Sequence, residues 1–217
     1  MISHDNKFIF IQIPKTGSDS VCACLLSMLG KRDMMRELSN PELFMRKNHH
    51  STLEQILTTG DSDISDYYTF TFVRNPFDRV LSEYLYIPKY LKQVETGIIP
   101  RICDNLKGYK SDKFKKQFKT FKDYVTRDDG LIFIDLHDKQ QIKYTESGRM
   151  DFIGRFENLQ QDFNIVCDKT GLPRQQLPHY NKTRHKHYTE YYDDETRQIV
   201  AERYAKDIER FDYEFGE

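Results

Sequence analysis

An α/β fold with a central parallel sheet is the class this sequence predicts, and three observations carry it. Lys7–Ile13 and Tyr68–Val73 are short, nearly continuous apolar or β-branched runs, the pattern of strands buried on both faces. Each run leads into a polar loop and then a helix-like stretch, Ser18–Leu29 after the first and Pro76–Leu85 after the second. A third such unit begins at Asp151–Asn158, "DFIGRFEN". Strand–loop–helix units in series build a parallel sheet with helices on both sides, a three-layer α/β/α arrangement.

The elements follow in order. The first strand carries Phe8, Ile9, Phe10, Ile11 and Ile13. Ser18–Leu29 is apolar nearly all round, as a covered helix must be, and Gly30 is placed to close it. Ser51–Leu57 reads as a short capped helix, with Ser51/Glu54 and Thr52/Gln55 both fitting a capping box. "YTFTFV" at Tyr68–Val73 is the second strand, and Pro76 suits the first turn of the helix after it. Pro88 is expected to limit or kink that helix. Phe114, Phe118, Phe121, Tyr124 and Val125 recur at helical spacing and predict one amphipathic helix with a basic outer face. Asp193–Phe211 reads as a closing helix. No repeat, low-complexity tract or Gly/Ser linker interrupts the 217 residues, so a single domain over 1–217 is expected.

Composition narrows the function classes. With 38% hydrophobic and 31% charged residues and a formal net charge of −1, nothing global marks a nucleic-acid binder. Charge is local instead: Lys89–Arg127 holds eleven basic and four acidic residues, a balance of +7. No secretory leader pattern and no apolar stretch near the roughly 20 residues of a spanning helix is visible. Cys22, Cys24, Cys103 and Cys167 lack zinc-site spacing and read as buried free thiols, so a cytoplasmic location is expected. No His/Asp/Glu cluster has metal-ligand spacing, and no metal is expected.

In parallel sheets, ligands bind beyond the carboxyl ends of the strands. Pro14–Ser20, "PKTGSDS", lies at such a place. It offers a glycine for close backbone approach, successive N–H groups, the hydroxyls of Thr16, Ser18 and Ser20, and Lys15, all at a helix N-terminus that favours anions. It is not the GxxxxGK[ST] triphosphate loop, because Lys15 precedes Gly17 and no second glycine lies upstream. A second anion site is expected after the next strand, where Arg74 ends the run and Ser82 follows in the early turns of the helix. Two such sites on neighbouring strands call for a ligand with two separated anionic groups.

Here "IPKTGSDS" with "FVRNPFDRVLSEY" resembles the paired cofactor motifs of sulfotransferases, specifically the carbohydrate type. The resemblance implies a P-loop-NTPase-like sulfotransferase fold. It also implies transfer of a sulfuryl group from 3′-phosphoadenosine 5′-phosphosulfate (PAPS), leaving adenosine 3′,5′-bisphosphate. By motif match Lys15, Thr16, Gly17, Ser18, Asp19 and Ser20 would line the phosphosulfate, and Arg74 and Ser82 would grip the 3′-phosphate. "NHHSTLEQI" is similar to the family's segment carrying the catalytic histidine, which implies His50 as base, with His49 the lesser candidate. "LPHYNKT" looks like a late cofactor-covering loop, implying Lys182 and Thr183. The similarity is weak over most of the chain and specific in the two cofactor motifs.

The histidine assignment has physics of its own. The positive end of a helix dipole just downstream favours neutral imidazole, the form that can accept a proton from a hydroxyl. Asp19 departs from the family's usual hydroxyl residue, so either its side chain faces away from the leaving group or cofactor affinity is reduced. The expected acceptor is a hydroxyl compound, a glycan or other small molecule, neutral or anionic; the lysines around Lys107–Lys122 would steer an anionic one. Three rivals stay open: a kinase-like phosphotransferase, a non-catalytic adenosine-bisphosphate binder, and a basic-surface interaction protein that would leave the anion motifs without a role.

Overall fold

A computed structural model describes residues 1–29, 51–59, 64–97, 110–127, 139–146, 149–179 and 185–217. In chain order the elements are β1 (Ile2–Ser3), β2 (Phe8–Ile11), α1 (Ser18–Met28), α2 (Leu53–Thr59), β3 (Tyr68–Val73), α3 (Pro76–Glu95), α4 (Ser111–Gln117), α5 (Phe121–Val125), β4 (Phe152–Arg155), α6 (Leu159–Thr170), α7 (Asp194–Arg203) and α8 (Ala205–Phe211). Single 3-10 turns occupy Gln141–Tyr144, Phe156–Asn158 and Tyr188–Tyr191. The chain forms two compact units, Met1–Arg74 with Gln141–Asn181, and Asn75–Gln140 with Lys182–Glu217.

The first unit holds a four-stranded sheet in the order β1-β2-β3-β4. The pairs β2·β3 and β3·β4 are parallel, as the continuous apolar runs predict, and β1 is an antiparallel edge with Ile2 opposite Ile9. The register sets Phe10 beside Phe70, and Phe70 beside Phe152. Strand side chains alternate between faces, so Phe8, Phe10, Phe70 and Phe72 share one side. That side packs against Val21 and Leu25 of α1 and Phe163 and Val166 of α6. Phe10 and Phe70 stack at 5.0 Å between ring centres. On the other side Ile9, Ile11, Thr71 and Val73 are buried too, so both faces of the sheet are covered. Burying each such aromatic or aliphatic side chain is worth about 1.5–3 kcal/mol, which makes this double-sided layer the main stabiliser of the unit.

Two local choices left open by the sequence are made here. Thr52, not Ser51, caps α2: its Oγ1 accepts from the Gln55 N–H at 3.3 Å, and Gln55 Oε1 accepts from the Thr52 N–H at 2.9 Å. Cys22, Cys24 and Cys167 are free and buried. Burial pushes the Cys24 thiol up and that of Cys167 up to about 11, so both stay protonated and weakly nucleophilic. Cys103 and Gly30 lie outside the described residues.

The second unit is helical, and two expectations are corrected in it. α3, expected to run to Leu85, is not limited at Pro88 and continues to Glu95. Ile87, Tyr90 and Leu91, around and beyond the proline, are buried with Phe114, Phe118 and Tyr124. Three such burials at about 1.5–3 kcal/mol each outweigh the roughly 3 kcal/mol that an internal proline costs. The expected single basic helix is two, α4 and α5, separated at Phe118–Thr120. Thr120 ends the continuity by capping α5: Thr120 Oγ1 accepts from Asp123 N–H at 3.1 Å, and Asp123 Oδ2 accepts from Thr120 N–H at 2.8 Å. The periodic aromatics are nonetheless all buried, and Lys113, Lys115, Lys116 and Lys119 are exposed. The closing helix likewise divides at Tyr204, between α7 and α8.

Candidate functional site

The end of β2 runs through buried Gln12 and Ile13 into the Pro14–Gly17 loop, which feeds α1 directly. The loop turns tightly on itself. The Thr16 hydroxyl donates to the Ile13 carbonyl at 2.9 Å, and the Gly17 carbonyl accepts from the N–H groups of Ser20 and Val21 at 3.0 and 3.2 Å. Lys15 and Gly17 both have left-handed backbone, φ 68 and 80. For lysine that conformation is uncommon, and such residues concentrate where function demands them. The Lys15 side chain is half-buried, while those of Thr16, Ser18 and Ser20 are buried. Asp19 is exposed. The positive end of the α1 dipole falls at this loop and favours a bound anion.

Gly17 is required twice over. Besides its positive φ, a Cβ there would stand 2.7 Å from Leu159 Cδ2 and 3.1 Å from Phe156 Cδ2. The turn after β4 therefore presses against the loop after β2. Gly17→Ala is expected to lower stability by about 1–2 kcal/mol from backbone conformation alone, with Leu159 displaced as well; urea unfolding measures the loss.

Arg74 is the first residue beyond β3 and is 7% exposed. One guanidinium nitrogen, Nη1, donates to the Lys15 carbonyl at 3.1 Å. The guanidinium carbon lies 4.0 Å over the Phe156 ring, a cation–π contact. Its backbone is held by Gln141: the Arg74 N–H donates to Gln141 Oε1 and Gln141 Nε2 donates to the Arg74 carbonyl, both at 2.9 Å. The first unit thus brings Lys15, Thr16, Gly17, Ser18, Asp19 and Ser20 together with Arg74.

Ser82 belongs to the second unit, half-buried in the second turn of α3. That helix starts at Asn75, whose Oδ1 accepts from the Phe77 N–H at 3.1 Å and whose Nδ2 donates to the Glu214 carbonyl at 2.8 Å. His50, His49, Lys182 and Thr183 lie outside the described residues. Sequence reading did not single out Phe156 or Gln141. Phe156 sits inside the quoted "DFIGRFEN" segment and had a signal; Gln141 had none, because nothing in its neighbourhood foretells burial.

In chemical terms the site offers a half-buried lysine, a helix N-terminus and a guanidinium tied to the same loop. This is a donor set for phosphate or sulfate esters. Among the described residues no helix is long and apolar enough to cross a membrane.

Comparison with known proteins points the same way. The chain matches the profile described as the sulfotransferase family over residues 1–214. It is similar to carbohydrate sulfotransferase 9 of Homo sapiens, 24% identical over 96% of this chain and 48% of that protein. Carbohydrate sulfotransferase 10 of Xenopus laevis is 22% identical over 98% of this chain and 66% of its own length. Carbohydrate sulfotransferase 14 of Danio rerio is 24% identical over 80% and 48%. The chain spans about half to two thirds of the length of these curated relatives. No solved structure gives a significant match. A profile covering nearly the whole sequence, on a mostly parallel sheet, assigns the chain to the sulfotransferase family, as a carbohydrate sulfotransferase-like member.

Proposed function

We propose that the chain transfers the sulfuryl group of PAPS to a hydroxyl of a carbohydrate acceptor. The observation that supports this most is the bond from Arg74 to the Lys15 carbonyl, which sets an arginine fork beside the Pro14–Gly17 loop. The residues present suit that ligand: a cation and a helix N-terminus on one loop, an arginine fork beside it, and a glycine whose hydrogen leaves no room for a side chain. Bound there, PAPS supplies an activated sulfuryl group. Lys15 and the loop amides stabilise negative charge growing on the departing phosphate oxygen, as preorganised donors do. Arg74 and Ser82 hold the 3′-phosphate, Lys182 and Thr183 cover the cofactor, and His50 takes the proton from the acceptor hydroxyl as it attacks sulfur. The three free thiols, Cys22, Cys24 and Cys167, support a cytoplasmic location.

Two measurements test this reading. Adenosine 3′,5′-bisphosphate is expected to raise the melting temperature, and ATP with magnesium is not; the reverse would mark a phosphotransferase. Labelled sulfate from PAPS is then offered to glycans, phenols and lipids, neutral and anionic, over a series of salt concentrations. Transfer to a glycan is the expected result, and no transfer to any hydroxyl despite bisphosphate binding would leave a binding protein. Exposed Lys113, Lys115, Lys116 and Lys119 favour an anionic acceptor, whose capture would weaken as salt rises.

A further inference from the structure

We propose that Gln141 is a positioning residue for Arg74, and that through Arg74 it sets the preference for a ligand bearing a second anionic group. The proposal rests on the reading above, in which Arg74 meets the 3′-phosphate of the nucleotide.

The argument starts from burial. Glutamine is mostly a surface residue, yet Gln141 is 0% exposed. A buried amide needs partners for both its oxygen and its nitrogen, and a methionine would fill the same space without that demand. Gln141 directs both groups to one residue, accepting from the Arg74 N–H and donating to the Arg74 carbonyl. The two residues are 67 positions apart in sequence, so the clasp is purely tertiary.

The place of the clasp gives it meaning. Paired positions between β3 and β4 end at Val73 opposite Arg155, and those between β2 and β3 end at Ile11 opposite Thr71. Arg74 is thus the first residue of this strand that the ladder no longer pairs. There the amide of Gln141 substitutes for a neighbouring strand, offering one acceptor and one donor as a peptide unit would.

The far end of the same side chain is also held, by the Lys15 carbonyl and by the face of Phe156. An arginine restrained at root and head loses little rotamer freedom on meeting a phosphate, and that saved ordering appears as affinity. Loosening the root would therefore weaken capture of the second anionic group. The Pro14–Gly17 loop has its own internal bonds and would keep its hold on the first. Gln141 acts on one half of the ligand.

The test compares adenosine 3′,5′-bisphosphate with adenosine 5′-monophosphate, which lacks the 3′-phosphate, by calorimetry on the full chain. Wild type is expected to prefer the bisphosphate. In Gln141→Met that preference falls about tenfold, the size of one lost hydrogen-bonded contact to a charged group, while monophosphate affinity is kept. Gln141→Asn, with the same amide on a stem one methylene shorter, loses less, and it carries the comparison if the methionine variant does not fold. Arg74→Ala lowers the preference at least as far, and adding Gln141→Asn to it changes the ratio no further. A purely structural glutamine would instead weaken both nucleotides alike, and that result, or an unchanged ratio in both Gln141 variants, overturns the proposal while leaving the cofactor reading intact. A wild type with no preference for the bisphosphate overturns the cofactor reading, and the proposal falls with it.

Discussion

Lys15→Ala is expected to reduce sulfate transfer by about 10²–10³-fold, the loss that follows removal of one preorganised donor at the site of developing charge. The lysine is half-buried at the N-terminus of α1, whose dipole also favours an anion there. Its backbone is held in the left-handed region at φ 68, with its carbonyl bonded by Arg74. Alanine keeps that carbonyl and loses only the cation, so the change reports on charge rather than on loop architecture. Binding of adenosine 3′,5′-bisphosphate should weaken too, because the cation meets the nucleotide before and after transfer. Lys15→Arg is expected to recover binding better than turnover, since a planar fork cannot replace a compact ammonium at a single oxygen. Single-turnover rates and bisphosphate titrations on the three proteins separate the terms, and near-wild-type turnover in Lys15→Ala would remove the assignment.

Much of what positions this loop is legible in the sequence, for identifiable reasons. Tyr68–Val73 is a strand residue for residue because "YTFTFV" is buried on both faces and its pattern depends on no partner. The turn at Gly17 into α1 is legible because a glycine before a helix carries its own conformational signature. What failed was decided by distant atoms or by local features that the aromatic period masked. Pro88 stays helical because residues beyond it find a core among Phe114, Phe118 and Tyr124. The amphipathic run from Phe114 to Val125 breaks because the Thr120–Asp123 box stabilises a new start more than helix continuity does. β1 is two residues long, too short for any period to show. Gln141 is the extreme case: its role exists only through a residue 67 positions away. Local patterns thus give the loop after β2 and the arginine after β3, while the contacts that fix the arginine's direction are tertiary.

His50→Ala should separate chemistry from binding. A positioned general base contributes about 10²–10⁴-fold, so turnover is expected to fall by that factor. Affinity for adenosine 3′,5′-bisphosphate should stay near wild type, because the proton His50 accepts belongs to the acceptor hydroxyl and not to the nucleotide. This is the opposite pairing to Lys15→Ala, which loses both, and a loss of turnover without a loss of binding marks an interaction made in the transition state. The pH profile carries the sign. Imidazole accepts a proton only when neutral, so wild-type turnover falls as pH drops through the histidine range, near about 6.5 for an unperturbed ring. In His50→Ala that acidic limb should vanish along with most of the rate. If His50→Ala keeps its turnover and His49→Ala loses it, the base is the neighbouring histidine. If both variants keep their turnover and their acidic limb, deprotonation of the acceptor lies with another group, and in-line transfer at Lys15 would need a different partner for the proton.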